Sequence, residues 1–496
     1  MTYDSQETSS SQSKVSQQKQ ELCERFIGHY TYLCKSTDPI ICHEMKNFLL
    51  FAMIKHWFSD GVFRRIFKNA GLMLTGRAAN GVMGLITLSI MARGLGAEVF
   101  GIVVLVQTYV LVISGLTTFQ SWQALIRYGA ISLKSEDPCE FQNLLKFTMV
   151  LDVIGIVIGV AVGYLAAPLI GPFLKWNSDV VVYAQAYSFL TLFTVIATPI
   201  GVLRLFDRFD LLTFQASIAP LCRMIGVSIA LALEAPLWGY LVAWFVAGSV
   251  GGIALIVLGW LEVSRRGRLV NMSWSFRGLS RGHDSIWRFS IVSNFHSSLQ
   301  LVTGHMAVFL VGFVAGPTAA GLYKIAKDVS TTLTKPAEML NQSIYPEFAR
   351  LGSEAHWHAF PRLILRSGAL GGGAGLTLLA ICYVAGEAFL SLIFGADFTA
   401  ASGVLTLLVA AATLTIAGFS MDPALYAMGR PGIPLQVNIV AVLGVFLPLL
   451  IFLGDRRGAD GAGIAALASS AFIFLAMSLF TTLELRKRIA TPLSGV

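Results

Sequence analysis

The sequence predicts an all-α polytopic membrane protein of about twelve transmembrane helices in two parallel six-helix repeats, preceded by a polar N-terminal tail. The chain is 55% hydrophobic and 13% charged, whereas soluble domains carry about 25% charged residues. From Asn69 onward about twelve apolar stretches approach the roughly 20 residues that cross a bilayer. This composition excludes a set of soluble domains.

The spans are apolar runs separated by glycine, proline and basic residues, which mark loops and helix ends. In the first repeat we predict spans at 70–92, 98–120, 144–167, 181–203, 211–233 and 237–260. In the second repeat we predict spans at 289–313, 318–341, 364–387, 402–422, 434–453 and 459–483. Six crossings return the chain to its starting side, so the two repeats have the same orientation.

The repeat is visible in residues that recur at an offset of about 220 positions. The run from Gly96 to Gly101 introduces the second span, and the run from Gly316 to Gly321 introduces the eighth. Four further pairs are Phe173 with Phe394, Arg208 with Arg430, Gln215 with Gln436, and Gly239 with Gly463. Parallel repeats of this kind are typical of transporters with a central substrate site.

Four regions are expected: a disordered cytoplasmic tail (1–60), an N-lobe with spans one to six (61–262), a basic cytoplasmic linker (263–288) and a C-lobe with spans seven to twelve (289–488). The tail is polar and low in complexity at its start. Its cysteines and histidines fit no standard zinc spacing, so we predict no metal site. Met45, Met53 and Met73 are alternative start positions.

Basic residues are concentrated in the loops that follow even-numbered spans, and few occur in the loops that follow odd-numbered spans. Because cytoplasmic loops carry an excess of Lys and Arg, both termini are predicted to be cytoplasmic. The net charge of +8 therefore reflects topology and needs no nucleic acid to explain it.

No phosphate-binding Gly-rich loop followed by Lys and Ser or Thr occurs in the sequence, and no soluble segment is large enough to hold a nucleotide. Hydrolysis of ATP by this chain is thus excluded. We predict no catalytic residue, no cofactor and no enzymatic activity.

Span eight carries a polar stripe within an arc of about 100°. Its members are Lys324, Lys327, Asp328, Thr331, Lys335, Glu338 and Gln342. Ionisable groups inside a membrane are costly and are candidates for lining a cavity. The alternative is that the lysines extend to the headgroups while Lys335 and Glu338 form a local pair.

Other spans contribute further polar residues. Arg77 and Asn80 lie in span one, Arg223 lies in span five, and His305 lies in span seven. Arg77 could instead reach the cytoplasmic headgroups, and a single His is more often a packing donor than a proton relay.

Together these residues predict a cationic cavity. Its substrate-binding residues are expected to be Arg77, Asn80, Arg223, Lys324, Lys327 and Lys335. Possible proton or coupling residues are Asp328, Glu338 and His305. A cationic chamber favours phosphate, which guanidinium groups bind in a bidentate way.

Several motifs are similar to those of a known family. The run Ala92-Arg93-Gly94-Leu95-Gly96-Ala97-Glu98-Val99-Phe100-Gly101 resembles the signature of bacterial polysaccharide-export flippases. Similar matches are Gly321-Leu322-Tyr323-Lys324, Tyr345-Pro346-Glu347-Phe348-Ala349-Arg350 and Ile393-Phe394-Gly395-Ala396-Asp397-Phe398. These flippases belong to the multidrug/oligosaccharidyl-lipid/polysaccharide exporter superfamily, and the resemblance covers about residues 61–488.

The resemblance implies two six-helix lobes around a V-shaped cleft that opens alternately to the two sides of the bacterial inner membrane. It implies that the cargo is a polyprenyl diphosphate-linked oligosaccharide for exopolysaccharide, capsule or O-antigen. Implied partners are membrane lipids, a polysaccharide polymerase and glycosyltransferases. The drug-exporter branch has an essential acidic residue in its first span, where this chain has Arg77 and no carboxylate.

Two alternatives stay open at this point. A cation-coupled drug or small-molecule antiporter of the same fold would need a carboxylate in the cleft, for which Asp328 is the candidate. A membrane scaffold or an enzyme of polysaccharide assembly is disfavoured by the polar stripes and by the absence of long loops. The sugar, the coupling ion and the oligomeric state do not follow from the residues.

Overall fold

A computed structural model describes residues 61–133, 138–269, 286–287, 305–353, 357–430 and 432–490. The chain divides into two compact units, Met1–Met73 and Leu74–Val496. The predicted disordered tail (1–60) and most of the predicted linker (263–288) lie outside the described residues. The features discussed below belong to the second unit.

The N-terminal half consists of helices α1 to α8. Their bounds are α1 Gly61–Thr117, α2 Ser121–Ser132, α3 Pro138–Ile170, α4 Ser178–Ser188, α5 Thr191–Thr194, α6 Thr198–Leu205, α7 Phe209–Ala232 and α8 Leu237–Arg265. A short 3₁₀ helix, Gly171–Leu174, follows α3. Helix α1 contains a break at Gly96, whose φ of 68° is outside the helical range and which only glycine adopts readily. The break separates predicted spans one and two.

Among the residues that the structure describes, the C-terminal half contains helices α9 to α15. Their bounds are α9 His305–Ala315, α10 Pro317–Ser353, α11 Phe360–Phe394, α12 Ala401–Ala417, α13 Met421–Ala427, α14 Gly432–Val440 and α15 Leu447–Ala490. Short 3₁₀ helices occur at Trp357–Ala359 and Ala396–Phe398, and a π-helical turn at Ala441–Phe446 joins α14 to α15.

Eight helical segments among the described residues are long and apolar enough to cross a membrane. The two longest, Ala79–Ser132 and Gly432–Ile489, contain 54 and 58 residues, more than twice the length that one crossing requires. Helix α10 is not among the eight because its polar stripe lowers its hydropathy. The all-α polytopic fold is confirmed, while the number of twelve helices stays a prediction.

A network of charged side chains joins the start of α7 to the end of α8. Arg208 Nη1 donates to Glu262 Oε2 over 2.6 Å, and Arg266 Nε donates to Glu262 Oε1 over 2.8 Å. Arg266 Nη2 also donates to the carbonyl of Phe206 over 3.4 Å. Both carboxylate oxygens of Glu262, which is 4% exposed, therefore accept a charged hydrogen bond.

Two contacts of this network recur in the C-terminal half. Arg430 Nε lies 3.3 Å from Glu484 Oε2, and Arg488 Nη2 donates to the carbonyl of Met428 over 2.6 Å. Each of these residues lies 222 positions after its counterpart in the N-terminal half: Arg430 after Arg208, Glu484 after Glu262, Arg488 after Arg266 and Met428 after Phe206. The internal repeat therefore extends to matching side-chain contacts.

The two halves meet through aromatic pairs at the end that carries the turns at Gly96 and Gly316. Phe100 packs edge-on against Phe398 with ring centroids 5.4 Å apart, and Phe173 stacks on Phe313 at 5.5 Å. Polar contacts accompany them across the same boundary. The Arg93 side chain donates to the carbonyls of Leu392 and Ile393 at the end of α11, and Ser89 also donates to Ile393.

Two glycines that correspond in the repeat allow this close approach. A Cβ atom at Gly101 would lie 2.0 Å from the carbonyl oxygen of Pro317, and one at Gly321 would lie 3.1 Å from Gly101 Cα. The first distance leaves no room for any side chain. The backbones of α1 and α10 are therefore in direct contact where the two halves join.

At the other end each half has its own apolar core. One such core is built around Phe141, Phe147 and Phe206 of the N-terminal half, together with Ile286. The other is built around Phe348 and Phe360 and draws only on the C-terminal half among the described residues. A shared core at one end and separate cores at the other describe a cleft that is closed where the turns at Gly96 and Gly316 lie.

Candidate functional site

The polar residues predicted to line one cavity fall into two groups on different halves of the molecule. His305, Lys324, Lys327 and Asp328 form a group on α9 and α10, which we name the C-half cluster. Asn80 and Arg223 lie on α1 and α7 of the N-terminal half. The side chains of Arg77, Lys335 and Glu338 lie outside the described residues, although α1 and α10 include these positions.

In the C-half cluster, Lys324 and Asp328 are paired. Lys324 Nζ lies 2.9 Å from Asp328 Oδ1 and 2.8 Å from Oδ2, so the ammonium group bridges both carboxylate oxygens. The pair is one helical turn apart on α10, the spacing at which helical side chains meet. The two side chains are 26% and 29% exposed, so both are partly accessible.

Lys327 and His305 complete the C-half cluster. Both are half-buried. His305, at the start of α9, interacts electrostatically with Lys324, Lys327 and Asp328, which places all four ionisable groups near one another. Two lysines against one aspartate give the cluster a net positive charge.

On the N-terminal half, Asn80 connects α1 to α7 by donating from Nδ2 to the carbonyl of Ala216 over 3.0 Å. Arg223 lies seven residues further along α7, on the same face of the helix. Its guanidinium carbon is 3.9 Å from the centre of the Trp244 ring of α8, which is a cation–π contact. The opposite face of α7 carries the exposed apolar residues Leu221 and Ile225. Arg223 therefore points into the half and away from lipid.

No role was predicted from the sequence for one buried carboxylate, that of Asp152. Asp152, near the middle of α3, accepts from Ser121 Oγ over 2.7 Å and from the backbone N–H groups of Ala197 and Thr198 over 3.1 and 2.8 Å. The latter two belong to the start of α6, so Asp152 caps a helix that is distant in sequence. The Thr198-Pro199 pair, a typical helix start, was the available signal.

Within the described part of the chain, no group of three or more His, Cys, Asp or Glu is placed to hold a metal ion.

These features define a class of protein: a polytopic all-α membrane protein with an internal repeat, of the kind found in membrane transporters. A family model described as "Polysaccharide biosynthesis protein" matches residues 66–352. The chain belongs to this family. The prediction from the sequence motifs is therefore confirmed.

A curated relative supports the same assignment. The chain is 31% identical over 350 residues to the inner membrane protein YghQ of Escherichia coli (strain K12), covering 70% of this chain and 97% of the relative. The protein is thus a multi-span membrane protein of a family of inner membrane transporters.

Solved structures share the fold. One is an inward-facing multidrug resistance MATE family transporter of the MOP superfamily, with a TM-score of 0.68 and 15% identity over 84% of this chain and 96% of that chain. Another is the lipid II flippase MurJ in an inward closed conformation, with a TM-score of 0.60 and 12% identity over 86% of this chain and 94% of that chain. At sequence identities of 15% and 12%, these similarities show a shared fold and nothing about function.

Proposed function

We propose that this protein flips lipid-linked oligosaccharides, in the form of polyprenyl diphosphate-linked repeat units, across the inner membrane for the synthesis of exopolysaccharide, capsule or O-antigen. The observation that carries the proposal is the charge of the cleft: the C-half cluster has two lysines against one aspartate. Family membership supports a role in polysaccharide biosynthesis. The positive charge favours a phosphorylated cargo over a cationic drug.

The mechanism we propose is alternating access. The polyprenyl chain stays in the bilayer while the sugar and the diphosphate cross between the two halves. Moving these polar groups through hydrocarbon without partners would cost several kcal/mol for each group. A diphosphate at the C-half cluster competes with Asp328 for Lys324, and its release on the other side restores the ion pair.

The proposed orientation places both termini in the cytoplasm, because the loops after even-numbered spans hold most of the Arg and Lys residues. The closed end of the cleft, with the turns at Gly96 and Gly316, then faces the outer side. This state would receive the lipid-linked unit from the cytoplasmic leaflet, where glycosyltransferases make it. A polymerase would use it after flipping.

A cation-coupled antiporter is the second candidate. It is favoured by a specific observation, the contact of Lys324 with Asp328 beside His305, since a carboxylate and an imidazole could exchange protons with the two sides. The fold is also that of multidrug transporters.

The experiment that separates the two candidates combines deletion of the gene with transport by purified protein. If the protein is a flippase, deletion makes lipid-linked repeat units accumulate in the inner leaflet, and surface polysaccharide falls. Proteoliposomes should then expose a lipid-linked oligosaccharide on the opposite leaflet, and they should not extrude a cationic dye along a proton gradient. Normal outer-leaflet units in the deletion strain, together with dye extrusion, would contradict the flippase and support the antiporter.

A further inference from the structure

Each half of the molecule has one span that is interrupted at an equivalent place. In the N-terminal half, residues 195–197 separate α5 from α6, and we name them the N-half break. In the C-terminal half, residues 418–420 separate α12 from α13, and we name them the C-half break. The offset of 222 between the charged networks carries 195–197 to 417–419, so the two breaks coincide to within one residue. Differences between them therefore distinguish the two halves.

The N-half break is held in place by side chains of other helices. Val195 has a φ of −88° and a ψ of 59°, which lies outside the helical range. Asp152 of α3 accepts hydrogen bonds from the N–H groups of Ala197 and Thr198. It also accepts one from Ser121 of α2. Straightening this span would separate the carboxylate from these donors, so the N-half break is fixed.

The C-half break is close to a continuous helix. Gly418 has φ −93° and ψ −3°, and Ser420 has φ −81° and ψ −10°. The N–H of Phe419 donates to the carbonyl of Ile416 over 3.3 Å, and that of Met421 donates to the carbonyl of Gly418 over 3.0 Å. These bonds span three residues, whereas those of an α-helix span four. Rotations of about 40° or less in φ and ψ would therefore make the span straight.

One side chain in the C-half break lacks a partner that a straight helix would supply. Ser420 has no exposed surface, and its Oγ has no hydrogen-bond partner in the part of the chain that the structure describes. Buried hydroxyl groups are almost always paired. In a continuous helix a serine hydroxyl donates to the carbonyl four residues earlier, which here is that of Ile416. The unpaired hydroxyl therefore indicates a second, straighter conformation of this segment.

The surroundings of the C-half break leave room for such a change. A Cβ atom at Gly368 would lie 2.8 Å from the carbonyl oxygen of Ala417, and one at Gly371 would lie 3.0 Å from that of Ile416. At these two positions α11 presents only its backbone to the main chain beside the break. Because interlocking side chains are what hold packed helices in register, this segment can shift against α11 more easily than an ordinary helix can.

We propose that the C-half break is a hinge, at which the span formed by α12 and α13 bends and straightens while the N-half break stays fixed. The N-terminal half then moves as a rigid frame, and the C-terminal half changes its internal shape. The proposal rests on the proposed alternation between two states, and it is independent of the chemistry of the cargo.

The first test measures hydrogen–deuterium exchange of the purified full-length protein in nanodiscs. The amides of 418–421 should exchange about tenfold faster than those of 195–198, because a hinge opens locally. Asp152→Asn removes the negative charge that holds the N-half break. It should speed exchange at 195–198 about fivefold and leave 418–421 unchanged. Equal exchange at the two breaks of the unmodified protein would overturn the proposal.

The second test restrains the hinge with Gly418→Ala. Because alanine favours the helix over glycine by about fivefold in the equilibrium constant, exchange at 418–421 should slow about fivefold and transport should fall. The matched control is Gly373→Ala on α11, where a Cβ atom would meet no other described residue within 4 Å. It should leave exchange at 418–421 and transport unchanged. Unchanged exchange at 418–421 in Gly418→Ala would count against the hinge.

If Gly418→Ala does not fold, the comparison of the two breaks in the unmodified protein still decides, because it needs no substitution in the hinge. The outcome can also be separated from that for the proposed function. Fast exchange confined to the C-half break in a protein that does not flip lipid-linked units would keep the hinge and reject the flippase. Normal flipping with equal exchange at both breaks would keep the flippase and reject the hinge.

Discussion

At the scale of single residues, contacts within one helix could be predicted from the sequence, whereas contacts between residues distant in the sequence could not. Lys324 and Asp328 are four positions apart on a helix, so their contact can be read from the sequence. The partner of Arg223 is Trp244 on the next helix, and that contact depends on how α7 and α8 pack. Asp152 is the extreme case, since its acceptor role depends on backbone groups 45 and 46 residues away.

The C-half cluster gives a prediction for Lys324. Lys324→Ala should lower the export of polysaccharide about tenfold or more, because a charge-assisted contact with the cargo is lost. Lys324→Arg should retain more activity than Lys324→Gln if charge is what matters. Export is measured as surface polysaccharide relative to the amount of protein in the membrane.

Lys487→Ala is the matched control for this experiment. Lys487 also pairs with a carboxylate, Glu484 at 2.9 Å, but it lies near the end of α15 and is 67% exposed. Its loss should leave export unchanged. Equal export by the Ala, Gln and Arg variants at position 324 would mean that Lys324 only reaches toward the headgroups.

At the scale of elements, the apolar pattern located most of the helices that the structure describes but not the breaks within them. The predicted span at 181–203 is divided in the structure into α4, α5 and α6. Pro199 has no N–H to donate and fits the first turn of a helix, so it favours a new helix start at Thr198. The break leaves N–H groups at the start of α6 without helical partners, and Asp152 accepts hydrogen bonds from them. A hydropathy pattern does not reveal this contact.

The broken span gives a prediction for Asp152. Asp152→Asn keeps the size of the side chain and can place Nδ2 against Ser121 Oγ, but the acceptor of the two N–H groups at the start of α6 loses its negative charge. We expect the protein to lose about 1 kcal/mol of stability, measured as a lower Tm in detergent. Asp179→Asn is the control, because Asp179 is exposed in the first turn of α4. An identical Tm for Asp152→Asn and the unmodified protein would show that the charge of the cap contributes nothing.

At the scale of the whole molecule, the internal repeat could be detected in the sequence because residues that mark loops and helix ends recur in both halves at nearly constant spacing. The offset of 222 between the networks of Glu262 and Glu484 agrees with the offset of about 220 read from the glycines. How the two halves pack against each other could not be predicted from the sequence, because the packing depends on contacts such as Phe100 with Phe398 that join segments almost 300 residues apart.

The closed end gives a prediction about movement. In the double variant Phe173→Cys/Phe313→Cys, a reducible bifunctional thiol reagent should link the two positions, because the native rings stack at 5.5 Å, and export should stop because the halves can no longer separate there. A reducing agent should restore export. The two single variants, treated with the same reagent, control for the native cysteines. Full export by the cross-linked protein would contradict alternating access at this end.

The bonds from Arg93 and Ser89 to Leu392 and Ile393 have a consequence for how the protein can evolve. Their acceptors are main-chain carbonyls, which every amino acid supplies. Substitutions at positions 392 and 393 therefore leave the acceptors in place. The side chain of Leu392 is exposed and can change without loss of these bonds, whereas that of Ile393 also packs against the shared core. The polar part of this junction is thus encoded on one side by Arg93 and Ser89 and on the other by the main chain of α11.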